Sequence, residues 1–124
     1  MLITGGSDSD GNDLSSVELY GEEFQCKMNT SMNMKRWGHT SAGDGTVCGG
    51  YGSGDSLTTC ETMDSTGVWS ISHTLNKKRV GFVMWRTRLM GGYSGITTEV
   101  LQDDGGSENS FTLRHVTRYV DKCL

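Results

Sequence analysis

The chain has 124 residues, a formal net charge of −4, 18 glycines and no proline. That gives room for one small domain with a modest core, and the Gly, Ser and Thr content points to an all-β chain of short strands and tight turns. Basic residues are scattered, as Lys35-Arg36, Lys77-Lys78-Arg79 and Arg114, which excludes the sustained positive field that a nucleic acid needs, and no run approaches the roughly 18 apolar residues of a membrane span.

In chain order, the first predicted strand is Leu2-Ile3-Thr4, ending in Gly5-Gly6. It opens at once from Met1, without the charged and apolar regions of a signal peptide. The polar loop Asp8-Ser9-Asp10-Gly11-Asn12-Asp13 follows, then a second strand at Ser16-Val17-Glu18-Leu19-Tyr20, an aromatic at Phe24 and a run opened by arginine, Arg36-Trp37-Gly38-His39-Thr40-Ser41. The same landmarks then recur. Thr46-Val47-Cys48 ends in Gly49-Gly50, Thr59-Cys60-Glu61-Thr62-Met63 carries the glutamate, Trp69 is the aromatic, and Arg79-Val80-Gly81-Phe82-Val83-Met84 opens on the arginine. A third pass gives Arg88-Leu89-Met90-Gly91-Gly92, Thr98-Glu99-Val100-Leu101, Phe111 and a degenerate Arg118-Tyr119-Val120. Such self-similarity at a period of roughly 40 residues belongs to propeller and solenoid architectures. Leu113, Val116 and Val120 also have helical spacing, but β-branched residues and the place in the repeat favour a strand there.

These landmarks resemble the Kelch repeat, whose blade looks like a strand opened by Arg, an apolar strand ending in Gly-Gly, a Glu-Tyr strand and a Trp strand. The resemblance is strong in the Gly pairs, Glu18-Leu19-Tyr20, Trp69 and Arg36-Trp37-Gly38-His39, and departs at Met63 and Leu101, which replace the aromatic after the glutamate. It implies a Kelch-type β-propeller of about three four-stranded antiparallel blades, a partial ring. Residues 1–34 form a partial blade, 35–76 and 77–114 two blades, and 115–124 the first strand of a further one. Rings of this kind have about 4–8 blades, so the expectation is a sector of a larger propeller, or a half-ring that pairs head to tail. A WD40 reading is weaker because no Trp-Asp pair follows Gly38-His39.

Of Cys26, Cys48, Cys60 and Cys123, none forms a C-x-x-C or zinc-like spacing, so no metal is expected. Gly52-Ser53-Gly54-Asp55 is turn chemistry, and a hairpin centred on Gly54 sets Cys48 opposite Cys60, where Cα separations of about 4.5–5.5 Å suit a disulfide. A disulfide in turn points to an extracellular or cell-surface setting. The intracellular alternative is a Kelch substrate adaptor.

The chemistry-bearing motifs are weak. Asp8, Asp10 and Asn12 begin like a calcium loop, but Asp13 stands where Gly is needed and Leu19 where a bidentate Glu is needed. The Gly pairs complete no nucleotide-binding fingerprint, no nucleophile elbow or H-E-x-x-H is present, and Tyr20, Tyr51, Tyr93 and Tyr119 match no copper-oxidase site of the galactose-oxidase type. His39 reads as structural. Arg36, Arg79, Glu18, Glu61 and Glu99 read as repeated structural contacts between blades, since a catalytic centre seldom recurs in every repeat. The expectation is therefore a protein-binding scaffold without catalysis or cofactor, with a protein partner bound by the loops after the Gly pairs. The residues expected to bind are Ser7, Asp8 and Asp10, then Tyr51, Ser53 and Asp55, then Tyr93 and Ser94.

Overall fold

In the computed structural model of this chain, the structure describes residues 1–23, 25–43, 45–93 and 97–101. Phe24, Ser94, Phe111, Cys123, the Leu113 to Val120 segment with Arg118, and the expected strand in 115–124 lie outside the described residues. Every regular element among the described residues is a β-strand, and every strand pairing is antiparallel.

Three sheets follow one another along the chain. The first is β1 (Leu2–Thr4), β2 (Ser16–Tyr20) and β3 (Gln25–Ser31), in that order. The second is a four-stranded meander of β4 (Thr40–Ser41), β5 (Thr46–Cys48), β8 (Thr59–Met63) and β9 (Trp69–Thr74). A tight hairpin of β6 (Tyr51–Gly52) and β7 (Asp55–Ser56) is inserted between its middle strands. The third sheet is β10 (Val83–Trp85), β11 (Arg88–Met90) and β12 (Thr98–Val100).

Register is the same in all three. Ile3 faces Glu18, Val47 faces Glu61, and Leu89 faces Glu99 across the paired strands. Because successive side chains alternate between faces, each sheet has a leading face that carries this apolar–glutamate pair and a trailing face behind it. The trailing face of the first sheet, with Val17 and Leu19, packs with Met28 and Met32 against Val47, Met63 and Trp69 of the second. The trailing face of the second, with Cys48 and Cys60, packs with Leu75 against Phe82, Met84, Leu89 and Leu101 around the third. The core is thus two similar layers between three stacked sheets.

Cys48 lies opposite Cys60 in the β5–β8 pair, and the two are joined by a disulfide with Cα atoms 4.0 Å apart; the inserted β6–β7 hairpin is offset from this register, with Tyr51 facing Ser56 and Gly52 facing Asp55. This bears out the pairing expected from the hairpin, slightly closer than anticipated. Cys26, on the edge strand β3, is disulfide-bonded as well.

The arginine runs are shorter as strands than their sequences suggest. In Arg36-Trp37-Gly38-His39 only Trp37 pairs, through an isolated bridge to Tyr51, and only Thr40–Ser41 joins the sheet. The cause is Gly38, whose φ of 61° breaks the extended path, as Gly81 does with φ 62° ahead of β10.

Gly5 and Gly49, the first members of the first two glycine pairs, are required by close approach between successive units. A Cβ on Gly5 would run into the Arg36 carbonyl oxygen, and one on Gly49 would meet the Arg79 carbonyl oxygen at 2.6 Å and the Phe82 ring at 2.8 Å. The neighbouring Gly6 and Gly50 amides donate to those same two carbonyls, at 2.9 and 2.7 Å. Gly54 also has a positive φ, but a Cβ there meets nothing within 4 Å. Gly49→Ala is therefore expected to lower stability by about 1 kcal/mol or more beyond the loss in Gly54→Ala, because only the first adds overpacking to backbone strain. Urea denaturation of the two variants checks the difference.

Candidate functional site

The most strongly built polar feature of the molecule is a buried arginine–glutamate pair that occurs twice. Arg36 and Glu61 are both fully buried, and Nη2 of Arg36 donates to Oε2 of Glu61 at 2.6 Å. Its Nη1 donates to the carbonyls of Gly49 (2.8 Å) and Thr59 (3.0 Å). Arg79 repeats the set. Its Nη1 donates to Gly91 O (2.8 Å) and Thr97 O (3.1 Å), and its Nε to Glu99 at 3.4 Å.

These ion pairs lie inside one unit rather than between units, and the glutamates make the link to the unit before. Glu61 accepts from the backbone N–H groups of Asn33 (2.6 Å) and Met34 (3.2 Å), and Glu99 from that of Asn76 (2.5 Å). With its guanidinium spent on two carbonyls and a carboxylate in the interior, each arginine is a strut.

The expected ligand loops gather along one edge of the stack, where the segments after the Gly pairs alternate with the arginine connections. Asp13 Oδ2 accepts from the Ser53 amide at 3.2 Å, joining the first loop to the second. Asp55 pairs with Lys78 at 2.5 Å, joining the second loop to the connection before the third sheet, and this bond holds the Asp55 carboxyl below its usual range. Both partners are exposed, so the pair contributes little to stability.

Within the loops, the residues differ in what they have left to offer. Ser7 bridges Asp13 through the backbone. Asp8 accepts from the Asn12 side chain (2.9 Å) and from the Asn12 and Asp10 amides (2.8 and 3.0 Å), and the Asn12 side-chain bond leads in lowering its pKa. Its carboxylate is thereby used to close its own loop, and Asp10 is exposed beside it. Among the described residues no group of three or more His, Cys, Asp or Glu side chains is placed to hold a metal ion. Ser53 occupies the turn tip with φ 54°.

Tyr51 is half-buried against Trp37, with ring centroids 5.5 Å apart and the two backbones exchanging hydrogen bonds of 2.9 and 2.8 Å. Trp37 keeps 40% of its surface exposed, and Tyr93 keeps 92%. Trp37 is thus a rim residue that sequence reasoning placed in a strand. The signal that marks it is the adjacent Gly38, whose position before the strand turns the tryptophan onto the rim. Asp8, Asn12 and Asp13 also line a polar hollow of about 460 Å³ with Lys27, Thr30 and Lys35.

His39 lies beneath this edge, accepting or donating a 2.8 Å bond with the Thr4 hydroxyl and packing close to Gly5 and Gly50. Burial, with the nearby Arg36 charge, pushes its pKa down to about 4. The folded state therefore binds the His39 proton less readily than the unfolded chain, whose histidine titrates near 6.5. The stability that neutral His39 allows is complete above about pH 6.5 and declines as the pH falls toward 4. In His39→Phe, which copies Phe82 of the next unit, that slope between pH 6.5 and 4 is expected to flatten in thermal melts.

No protein-family model matches the chain, and no curated protein sequence matches it. Among the described residues no helix is long and apolar enough to cross a membrane.

Proposed function

We propose that this chain is a sector of a Kelch-type β-propeller and acts as a non-enzymatic, protein-binding scaffold. The observation that carries the reading is the recurrence of one structural set. Arginine, first glycine carbonyl, threonine carbonyl and glutamate appear as Arg36, Gly49, Thr59 and Glu61, and again as Arg79, Gly91, Thr97 and Glu99. The Kelch resemblance provides for this recurrence, with the arginine opening a blade and the glutamate and Gly pair on its inner strands. The four-stranded meander of the second sheet supports the blade reading.

Binding is assigned to the rim because the stacked sheets hold it rigidly while its side chains stay accessible. Trp37 and Tyr93, with Tyr51 behind Trp37, supply aromatic surface of the kind enriched at protein contacts. Asp8 and Asp10 in the first loop add acidic character to the same rim, which favours a partner segment with basic and apolar residues. The Cys48–Cys60 disulfide supports an extracellular or cell-surface setting.

A displayed peptide library panned on the full chain tests the assignment, with Trp37→Ala/Tyr93→Ala as the comparison. Selected peptides are expected to lose at least about tenfold in affinity for the double variant, the size of a hot-spot loss. Peptides that bind both proteins equally would place recognition elsewhere.

A further inference from the structure

The sequence carries a single Asn-x-Ser/Thr pattern, Asn29-Thr30-Ser31, the acceptor pattern for asparagine-linked carbohydrate. Three residues say little by themselves, and their placement decides whether they can serve. They fall at the C-terminal end of β3, the outer strand of the first sheet. Pairing is irregular there. Glu18 faces Lys27 but Ser16 faces Ser31, so Asn29 lies in a bulge where three residues of β3 stand against one of β2.

The side chains around the bulge divide by face. Met28 is buried in the layer against the second sheet, and the Thr30 hydroxyl donates to the Gly67 carbonyl, in the turn between β8 and β9, at 2.6 Å. Asn29 and Ser31 are exposed. Among the described residues the Asn29 side-chain amide is tied into no hydrogen bond, whereas that of Asn12 donates to Asp8 and that of Asn33 to the Trp69 carbonyl, both at 2.9 Å.

The second sheet shows that an outer strand stays accessible with another sheet in place beside it. The first sheet packs onto the second through Val47, Met63 and Trp69. Every residue of the outer strand β9 after Trp69 is nevertheless exposed or half-buried, Ile71 at 57%. Access to Asn29 thus follows from its place on an outer strand, whatever packs against the leading face of its sheet. The Cys48–Cys60 bond, with the disulfide of Cys26 on the same strand as Asn29, fits an oxidising secretory compartment, the setting in which such carbohydrate is added.

We infer that Asn29 is an attachment site for an asparagine-linked oligosaccharide, with Ser31 supplying the hydroxyl that the transferring enzyme reads. The donor is an oligosaccharide carried on a polyprenyl diphosphate. Asn29 Nδ2 bonds to the anomeric carbon of the first sugar as that carbon's bond to the diphosphate oxygen breaks. The lipid diphosphate leaves with the bonding electron pair, Nδ2 gives up one proton, and nothing is oxidised or reduced. The product is a bulky, solubilising group on the outer strand, clear of both core layers. The inference rests on the extracellular or cell-surface setting proposed above.

The test is peptide mapping, without reduction, of the full chain isolated from its own source. Peptide N-glycosidase in heavy-oxygen water turns a glycosylated asparagine into a labelled aspartate, and the label is expected at Asn29. In the chain secreted by eukaryotic cells, Asn29→Gln and Ser31→Ala are each expected to lose the carbohydrate completely, while Ser31→Thr keeps it. Thermal melts of the variants are expected to match the unaltered chain treated with the glycosidase, since both side chains are exposed. An unmodified Asn29 in a protein whose Cys48–Cys60 bond is formed overturns the inference and leaves the setting standing. Free thiols at both cysteines together with an unmodified Asn29 overturn the two together. Carbohydrate that survives Asn29→Gln, or is lost in Ser31→Thr, also overturns the assignment.

Discussion

Arg36→Met is expected to be the most damaging single substitution in the described fold, costing about 3–5 kcal/mol, the loss seen when one partner of a buried ion pair is removed. The methionine fills much of the space but leaves Glu61 as a buried carboxylate held only by the Asn33 and Met34 amides. It also strips the Gly49 and Thr59 carbonyls of their shared donor. For a domain of this size the loss corresponds to a fall in Tm of roughly 10–20 °C. Arg36→Lys is expected to rescue little, because one compact ammonium cannot span two carbonyls and a carboxylate as the planar guanidinium does.

The double variant Arg36→Met/Glu61→Leu is expected to be more stable than either single variant, since removing both charges removes the burial penalty. Arg79→Met is expected to follow the same pattern with a smaller loss. Its contact with Glu99 is longer, and Glu99 retains some exposure. A thermal and urea series over these variants decides the point. An Arg36→Met protein as stable as the unaltered chain would show that the guanidinium is not holding the sheets.

Much of this architecture is legible in sequence because it repeats. Ser16–Tyr20 and Thr59–Met63 are strands with the bounds their residue patterns suggest. The Cys48–Cys60 opposition is legible because a short glycine-containing connection between two strands brings those positions close together, although the β6–β7 hairpin inside that connection is offset from the β5–β8 register. What the pattern does not carry is conformation that depends on a neighbouring unit. The Arg36 and Arg79 runs look like strands by composition, yet only Thr40–Ser41 and Val83–Trp85 pair into the sheets, each after a glycine of positive φ, Gly38 or Gly81. The direction of the Arg–Glu bonds is likewise hidden, because recurrence alone does not say whether a pair lies within a unit or across two.

The candidate site is less legible for the same reason. Position after a Gly pair identifies the rim, but not which side chains remain available on it. Asp8 closes its own turn, Asp55 pairs with Lys78, and Tyr51 leans on Trp37, while the Tyr93 ring stands 92% exposed. The first of these contacts is local to its loop, but the Asp55–Lys78 pair joins residues 23 apart and belongs to two successive units, which the repeat pattern does not register.

Loss of the Cys48–Cys60 bond is expected to cost about 3 kcal/mol, the chain-entropy value for so short a closed loop. The disulfide staples β5 to β8 at the centre of the four-stranded sheet, on the face that packs against Phe82, Met84 and Leu89. Its removal therefore weakens the meander and the layer between the second and third sheets together. Cys48→Ala/Cys60→Ala is expected to lose more than this amount, because it also deletes two fully buried sulfur atoms from that layer. Peptide mapping of the non-reduced protein by mass spectrometry should show the Cys48 and Cys60 peptides linked, with both thiol hydrogens absent. Reduction should be slow in the native state, where both cysteines are fully buried, and should quicken as urea opens the sheet. Rapid labelling of Cys48 or Cys60 by a thiol reagent without reductant would contradict the bond. A double alanine variant with unchanged Tm would show that the hairpin and its packing hold the layer without it.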